Sequence, residues 1–355
     1  MTRSHNRNDV ARSRGISRRG FLKLAAMTGL LAGCRPLKEV VTPTSTPAPT
    51  STAALTVAPP AVPSKVVHTH HAGVWDGDAL VPEAIQQMLD ASITELTGLD
   101  DATEAWASLF DPGERIAIKV NAFRNSIIWT HVPLVMAVTE CLQEAGVPAE
   151  QIVIFDYYTR ELDNAGFPVN EDGPGVRCYG TDSDYTGGWQ IVGTDVQLSD
   201  VLLNCDALIN MPVLKSHMHA GISFAMKNHY GTIREPSNFH RGERINRGLA
   251  ELNLLPPIKD RTRLIVGDVL TACLRHTTSF PYWETDFTGD SILMSFDPVA
   301  HDTVGLEMFS QLLADDGGNP KAAIDMATRW LGNGATLGLG TNDPDSIELT
   351  EMNLG

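Results

Sequence analysis

Three side chains capable of acid–base and anion chemistry alternate in one short run: Lys215, His217 and His219. An extended strand points alternate residues to one face, so this spacing gathers an amine and two imidazoles. Ser223 and Lys227 follow, four residues apart, the interval that shares a helical face. Amines in such a place clamp a carboxylate or phosphate, and an imidazole moves a proton. Two imidazoles with an oxygen from Asp268 or Asp302 are also the donor types of a divalent-metal site. The expected catalytic groups are therefore Lys215, His217 and Lys227, with Asn121, Asn228, Arg234 and His240 binding substrate. The expected metal ligands are His217, His219, Asp268 and Asp302, with His217 serving as general base or ligand. Lys215 and Lys227 each follow apolar residues, and a lysine there costs desolvation unless it holds an anion or acts as a tuned base.

The charge setting makes these bases conspicuous. The chain has 355 residues, with 43 Asp or Glu against 27 Lys or Arg, a net charge of −16. Residues 1–33 hold seven of the bases (Arg3, Arg7, Arg12, Arg14, Arg18, Arg19 and Lys23) and a single acid, Asp9. The rest carries 20 bases against 42 acids, a net −22. Such a body is a poor partner for nucleic acid, which needs basic surface to neutralise phosphates, and for anionic lipid. Yet from Lys215 to Arg247 there are six bases and only two acids, Glu235 and Glu243. A local basic island in an acidic protein focuses positive potential and draws in a small anion.

The elements that must position these groups are legible as apolar runs. β-rich segments at 66–68, 115–120, 151–155, 207–210, 263–266 and 291–295 are nearly continuous apolar stretches, the pattern of strands buried on both faces. Helical patterns lie between them at 82–96, 132–145 and 298–313, the last with Asp297 as N-cap and Pro298 in the first turn. Strand–helix alternation predicts one large α/β domain over 65–355, a mostly parallel sheet with helices on both faces. In such sheets ligands bind outside the carboxyl ends of the strands. Asn121, Asp156, Asn210 (leading to Lys215), Asp268 and Asp297 stand near those ends as a shared rim.

The first 64 residues read as an address and a tether. Ser17-Arg18-Arg19-Gly20-Phe21-Leu22-Lys23 before a short apolar stretch matches a twin-arginine export signal over 1–33. Leu31-Ala32-Gly33-Cys34 resembles a lipoprotein cleavage site, making Cys34 the lipidated residue. Residues 34–64 alternate Pro with Thr, Ser and Ala, a stiff extended spacer. The expected location is the extracytoplasmic side of a membrane, held by the lipid alone. The remaining cysteines, Cys141, Cys178, Cys205 and Cys273, form no C-x-x-C pair, so an iron–sulfur cluster is not expected. They leave open either two disulfides or buried free thiols. His68, His70 and His71 form either a metal cluster or the end of a first strand, and Gly332-Asn333-Gly334 and Gly338-Leu339-Gly340 read as turns.

Ile118-Lys119-Val120-Asn121, Thr130-His131, the run from Asp206 to His217, Ala225-Met226-Lys227-Asn228-His229-Tyr230-Gly231, and Phe296-Asp297-Pro298-Val299-Ala300-His301-Asp302 together resemble the domain of unknown function 362 family. The resemblance covers most of residues 65–312. Members usually read Lys-Thr-His where this chain has Lys215-Ser216-His217. Many also carry ferredoxin-like cysteine segments, which have no counterpart here. The resemblance implies that Lys215 and His217, Lys227 and Asn228, and Asp297 and Asp302 belong to one site; it implies no reaction. The function expected on all these grounds is an exported, lipid-anchored enzyme acting on a small anionic substrate, by hydrolysis with a divalent metal as the default. The alternative is a non-catalytic lipoprotein that binds an anion or metal.

Overall fold

The computed structural model describes residues 63–123 and 126–355. The twin-arginine segment, Cys34 and nearly all of the tether lie outside the described residues. The described part begins directly on a strand, Ser64–His71, which contains His68, His70 and His71. The three histidines are thus strand residues and not a loop cluster.

The apolar runs form strands because both of their faces are covered. Ile116–Lys119, Ile152–Phe155 and Ala207–Asn210 are buried at every position. Ten strands make one sheet, with Ile347–Leu354 at one edge, then Ser64–His71, Phe287–Ser295, Thr262–Cys273, Ala207–Asn210, Ile116–Lys119, Ile152–Phe155 and Arg177–Cys178. Val213–His217 continues alongside the far half of Thr262–Cys273 and folds back on Gly221–Ser223. Pairing is parallel except around Phe287–Ser295 and in that fold-back, so the sheet is mostly parallel, as the alternation predicts.

The two-residue period of a strand sends neighbours to opposite layers. Ile116 and Ile118 face a core with Ile85, Leu89, Trp106, Val135 and Leu142 from the helices Pro82–Thr97, Ala102–Leu109 and Val132–Glu144. Ala117 faces the other core, with Leu249, Phe309 and Trp330 from Glu243–Asn253, Pro298–Asp315 and Lys321–Thr336. Helix ends follow local chemistry. Pro82–Thr97 starts on a proline and stops at Gly98, whose left-handed backbone lets its N–H reach the Thr94 carbonyl at 2.8 Å. Pro298–Asp315 is capped as expected, Asp297 Oδ1 accepting from Val299 N at 2.8 Å and Ala300 N at 2.9 Å.

Two expectations are corrected. Gly332 and Gly334 lie inside the Lys321–Thr336 helix and not in a turn. A Cβ on Gly334 would sit 2.9 Å from Val299 Cγ2, so the glycine permits close helix packing. The disulfide option also falls, because Cys141, Cys178, Cys205 and Cys273 are all free and buried. Burial pushes the Cys141 thiol up to about 12, which leaves it protonated and unreactive. Among the described residues no helix is long and apolar enough to cross a membrane.

The topology creates a place for a site. From Ile116–Lys119 the chain steps outward to Ile152–Phe155 and Arg177–Cys178, then returns to Ala207–Asn210 on the opposite flank. Connections diverge above Lys119, which is in register with both Phe155 and Asn210. Such a divergence leaves a crevice at the carboxyl ends of the strands.

Candidate functional site

The crevice is a cleft of about 370 Å³ lined by residues that include Lys119, Asn121, Asp156, Lys215, His217, Lys227, Asn228, His240 and Trp283. A wider depression of about 570 Å³ near Arg115, Glu150, Asp172 and Asp200 is walled mostly by exposed and half-buried polar side chains and is lined by no lysine. The lysine cleft is the place with buried, convergent polar groups, the usual mark of a small-molecule site.

Its floor is a network of charge and amides. Lys119 is 0% exposed, and its Nζ donates to Asp156 Oδ1 at 2.7 Å and to the Val120 carbonyl at 2.6 Å. Asp156 Oδ2 accepts from Ala122 N at 2.6 Å. Burial lowers the Lys119 pKa and the Asp156 charge pulls it back up, so the pair stands or falls together. Asn228 locks the neighbouring strands: its Nδ2 donates to the Lys119 carbonyl at 3.2 Å and to Asn210 Oδ1 at 2.8 Å. Its Oδ1 accepts from Asn121 Nδ2 at 3.1 Å. Gly231 closes over this floor, and a Cβ there would lie 2.5 Å from Asp156 Oδ1 and 2.6 Å from Lys119 Nζ. Gly231→Ala is therefore expected to displace the ion pair and cost about 1–3 kcal/mol, read as a lower urea midpoint.

Above the floor stand two further lysines. Lys215 Nζ donates to Asn121 Oδ1 at 2.6 Å and lies 5.4 Å from the centre of the Trp283 ring. Lys227 Nζ lies 4.6 Å from the centre of the Tyr230 ring, at 7% exposure for the residue. Among the described residues neither has a carboxylate in salt-bridge contact, and Lys227 Nζ has no hydrogen-bond partner. Burial, partly opposed by Asp156, lowers Lys215 to about 8. Burial, reinforced by the Lys215 charge, lowers Lys227 to about 7.

Lys227 sits on one turn of helix, Ala225–Asn228, held by a buried carboxylate. Asp302 Oδ1 accepts from Ala225 N and Oδ2 from Met226 N, both at 2.8 Å. Ser223 belongs to the strand Gly221–Ser223 and not to a helix shared with Lys227, although both line the cleft.

The histidines divide by tautomer. His217 Nδ1 accepts from His219 N and Ala220 N, both at 3.2 Å, which leaves the proton on Nε2. Its ring lies between Trp283 and His240, with centroids 5.9 and 5.5 Å away. Burial and the Lys227 charge hold its pKa well below 6.5. The general-base role expected of His217 is thus corrected: its basic nitrogen is occupied by backbone donors, and Nε2–H is a hydrogen-bond donor. His240 is the reverse. Its Nδ1 is 2.8 Å from the Pro236 carbonyl, so Nδ1 donates and the Nε2 lone pair is left over. Burial and Lys227 lower it to about 3, keeping that lone pair unprotonated.

The expected metal set does not assemble. Asp268 Oδ2 accepts from His131 N at 2.7 Å and faces His131 Nδ1 at 2.8 Å, while Oδ1 accepts from Leu270 N at 3.0 Å. Asp302 is committed to the Ala225–Asn228 turn and to His301, and His219 is half-buried outside the cleft lining. Among the described residues no group of three or more His, Cys, Asp or Glu is placed to hold a metal ion. Arg234 is corrected as well: it is exposed, bonds Gln197 Oε1 at 3.1 Å and does not line the cleft. Asp297, implied by resemblance, is a helix cap and does not line the cleft. Lys215, His217, Lys227, Asn121, Asn228 and His240 are brought together. Lys119, Trp283 and Tyr230 were not expected there. The available signal was a lysine inside an otherwise apolar strand, Ile116–Lys119.

No curated protein matches this chain. Solved structures similar at low identity include the following two. A lactate racemase apoprotein from Thermoanaerobacterium thermosaccharolyticum has 9% identity and a TM-score of 0.42, covering 71% of this chain and 58% of that one. A protein from Thermotoga maritima has 12% identity and a TM-score of 0.37, covering 67% of this chain and 60% of that one. This chain therefore spans about three fifths of the length of each. The family description Domain of unknown function (DUF362) matches residues 116–307, which hold every residue lining the lysine cleft. More than half of the sequence is matched, and the chain belongs to that family.

Proposed function

We propose that this chain is an exported, lipid-anchored enzyme whose lysine cleft takes a small anionic substrate bearing a carboxylate or phosphate. One observation carries the reading: Lys215 and Lys227 line a single buried cleft without an ion-pair partner among the described residues, in a chain of net charge −16. A buried cation without a counter-ion is costly, and an incoming anion removes that cost. His217 Nε2–H adds a neutral hydrogen-bond donor and His240 Nε2 a neutral acceptor. The ligand set expected for metal-assisted hydrolysis does not assemble among the described residues, and this reading gives the chemistry to the histidine pair and the lysines. Export through the twin-arginine route and lipidation at Cys34 rest on the sequence of residues 17–34.

The test is calorimetric titration with inorganic phosphate and with propionate. Lys215→Gln is expected to weaken anion binding by about tenfold to a hundredfold, the worth of one charge-assisted hydrogen bond. Affinity is expected to fall as pH rises past 8, because Lys215 at about 8 and Lys227 at about 7 then lose the protons that hold the anion. Affinity unchanged in Lys215→Gln and flat across that range overturns the reading.

A further inference from the structure

We propose that Lys227 is a nucleophile that forms an imine with a small 2-oxo carboxylate whose carboxylate rests on Lys215. The inference deepens the anion-binding reading of the cleft and rests on it.

The three lysines of the cleft are not equivalent. Lys119 is committed to Asp156 and Lys215 to Asn121, whereas among the described residues Lys227 Nζ has no hydrogen-bond or ion-pair partner and lies over the face of Tyr230, 4.6 Å away. The freedom is confined to the amine. Its backbone turn is fixed by Asp302 on Ala225 N and Met226 N, by Asn253 Nδ2 on the Met226 carbonyl at 2.9 Å, and by the Asn228 side chain. A rigid carrier whose amine is not held by an acceptor suits nucleophilic attack, since a carboxylate or carbonyl acceptor favours the protonated ammonium, which has no lone pair. Burial and the neighbouring Lys215 charge, which bring Lys227 to about 7, leave much of the amine neutral at physiological pH.

The rest of the cleft fits a carbonyl acid. Lys215, higher at about 8, stays largely cationic and takes the carboxylate. His217 Nε2–H can donate to the carbonyl oxygen, and the His240 Nε2 lone pair can take a proton from nitrogen. Nζ bonds to the carbonyl carbon while the C=O π pair moves onto oxygen. One amine proton passes through His240 to that oxygen, giving a carbinolamine. The second amine proton follows as the C–O bond breaks, and the oxygen leaves as water. One amine and one carbonyl give one imine and one water, with no oxidation or reduction. The aromatic walls, Trp283 and Tyr230, limit water at the new C=N bond.

The test is borohydride trapping on the full exported chain with pyruvate as probe, propionate as the carboxylate without a carbonyl, and peptide mapping by mass spectrometry. Calorimetric binding of both acids is measured in parallel without reductant. The expected result is a pyruvate-dependent reduced adduct on Lys227, about tenfold or more above that on the exposed Lys321. Propionate yields none, and the adduct is lost in Lys227→Gln while far-UV circular dichroism is unchanged. Because the adduct is located in the native chain, the result does not depend on that variant folding. Binding of both acids with Lys227 unmodified, or with only exposed lysines modified, overturns the imine and leaves anion binding standing. Absence of binding by pyruvate, propionate and phosphate overturns both.

Discussion

Lys227→Met is expected to raise stability at neutral pH while abolishing the chemistry of the cleft. The usual relation between function and fold is that removing a buried side chain costs packing. Here methionine keeps the unbranched length and removes a charge that has no partner among the described residues. The folded-state pKa lies at about 7 against an ordinary 10.5, so between those values the unfolded chain holds a proton that the folded chain has lost. Stability of the native protein therefore rises with pH through that window and is lowest, for this group, below about pH 7. Each tenfold loss of proton affinity on folding is worth roughly 1.4 kcal/mol, so the variant gains on the order of a few kcal/mol at neutral pH, and the gain fades toward about pH 10. Lys215 keeps part of the slope in the variant, being lowered by burial on its own account. Chemical denaturation of both proteins at pH 6.5 and 9.5 reads the difference. A gain that is absent, or equal at both pH values, would mean that Lys227 is already paired or solvated.

Asp156→Asn has the opposite sign. It leaves Lys119, 0% exposed, facing an amide where a carboxylate stood at 2.7 Å. Removing one partner of a buried pair typically costs about 3–5 kcal/mol, because the remaining charge is stranded. Ala122 N, which donates to Asp156 Oδ2 at 2.6 Å, loses a charged acceptor as well. Replacing both partners, Lys119→Met with Asp156→Leu, is expected to recover most of that loss, since neither charge is then left alone. Urea midpoints of Lys119→Met, Asp156→Leu and the double variant give the coupling energy of the pair. Near-additive losses would mean that the two side chains act separately. Because Lys119 is in register with Asn210 and Phe155, failure of the pair should also loosen the crevice itself.

These two outcomes share a cause. Three lysine amines line one cleft, and among the described residues only Lys119 is in salt-bridge contact with a carboxylate, that of Asp156. The fold is stabilised where the pair closes and destabilised where the two remaining lysines wait for an anion. Sites that must receive charge carry such a cost as a rule.

Local pattern alone was enough for much of the scaffold. Within the runs at 115–120, 151–155 and 207–210, Ile116–Lys119, Ile152–Phe155 and Ala207–Asn210 became fully buried strands because a short continuous apolar segment has few other ways to leave water. Asp297-Pro298 began a helix because a side-chain acceptor followed by a fixed φ suits the first turn. The Lys321–Thr336 helix was not legible, since Gly332 and Gly334 imitate turns unless one knows that Val299 crowds that face. That Lys215, Lys227 and His217 would share a cleft was likewise readable, because charged groups beside apolar runs are expensive, whereas Lys119 was missed.

What those groups face was a matter of tertiary structure. Hydrogen-bond partners from residues far apart in sequence decided that Asp302 holds a helical turn, that Asp268 serves His131, and that Arg234 points away. The same contacts decided which histidine donates and which accepts, a property set by a backbone N–H or a carbonyl at about 3 Å and invisible in residue type. Spacing along a chain reports which side chains share a face. Only the meeting of strands above Lys119 determines which of them share a cleft.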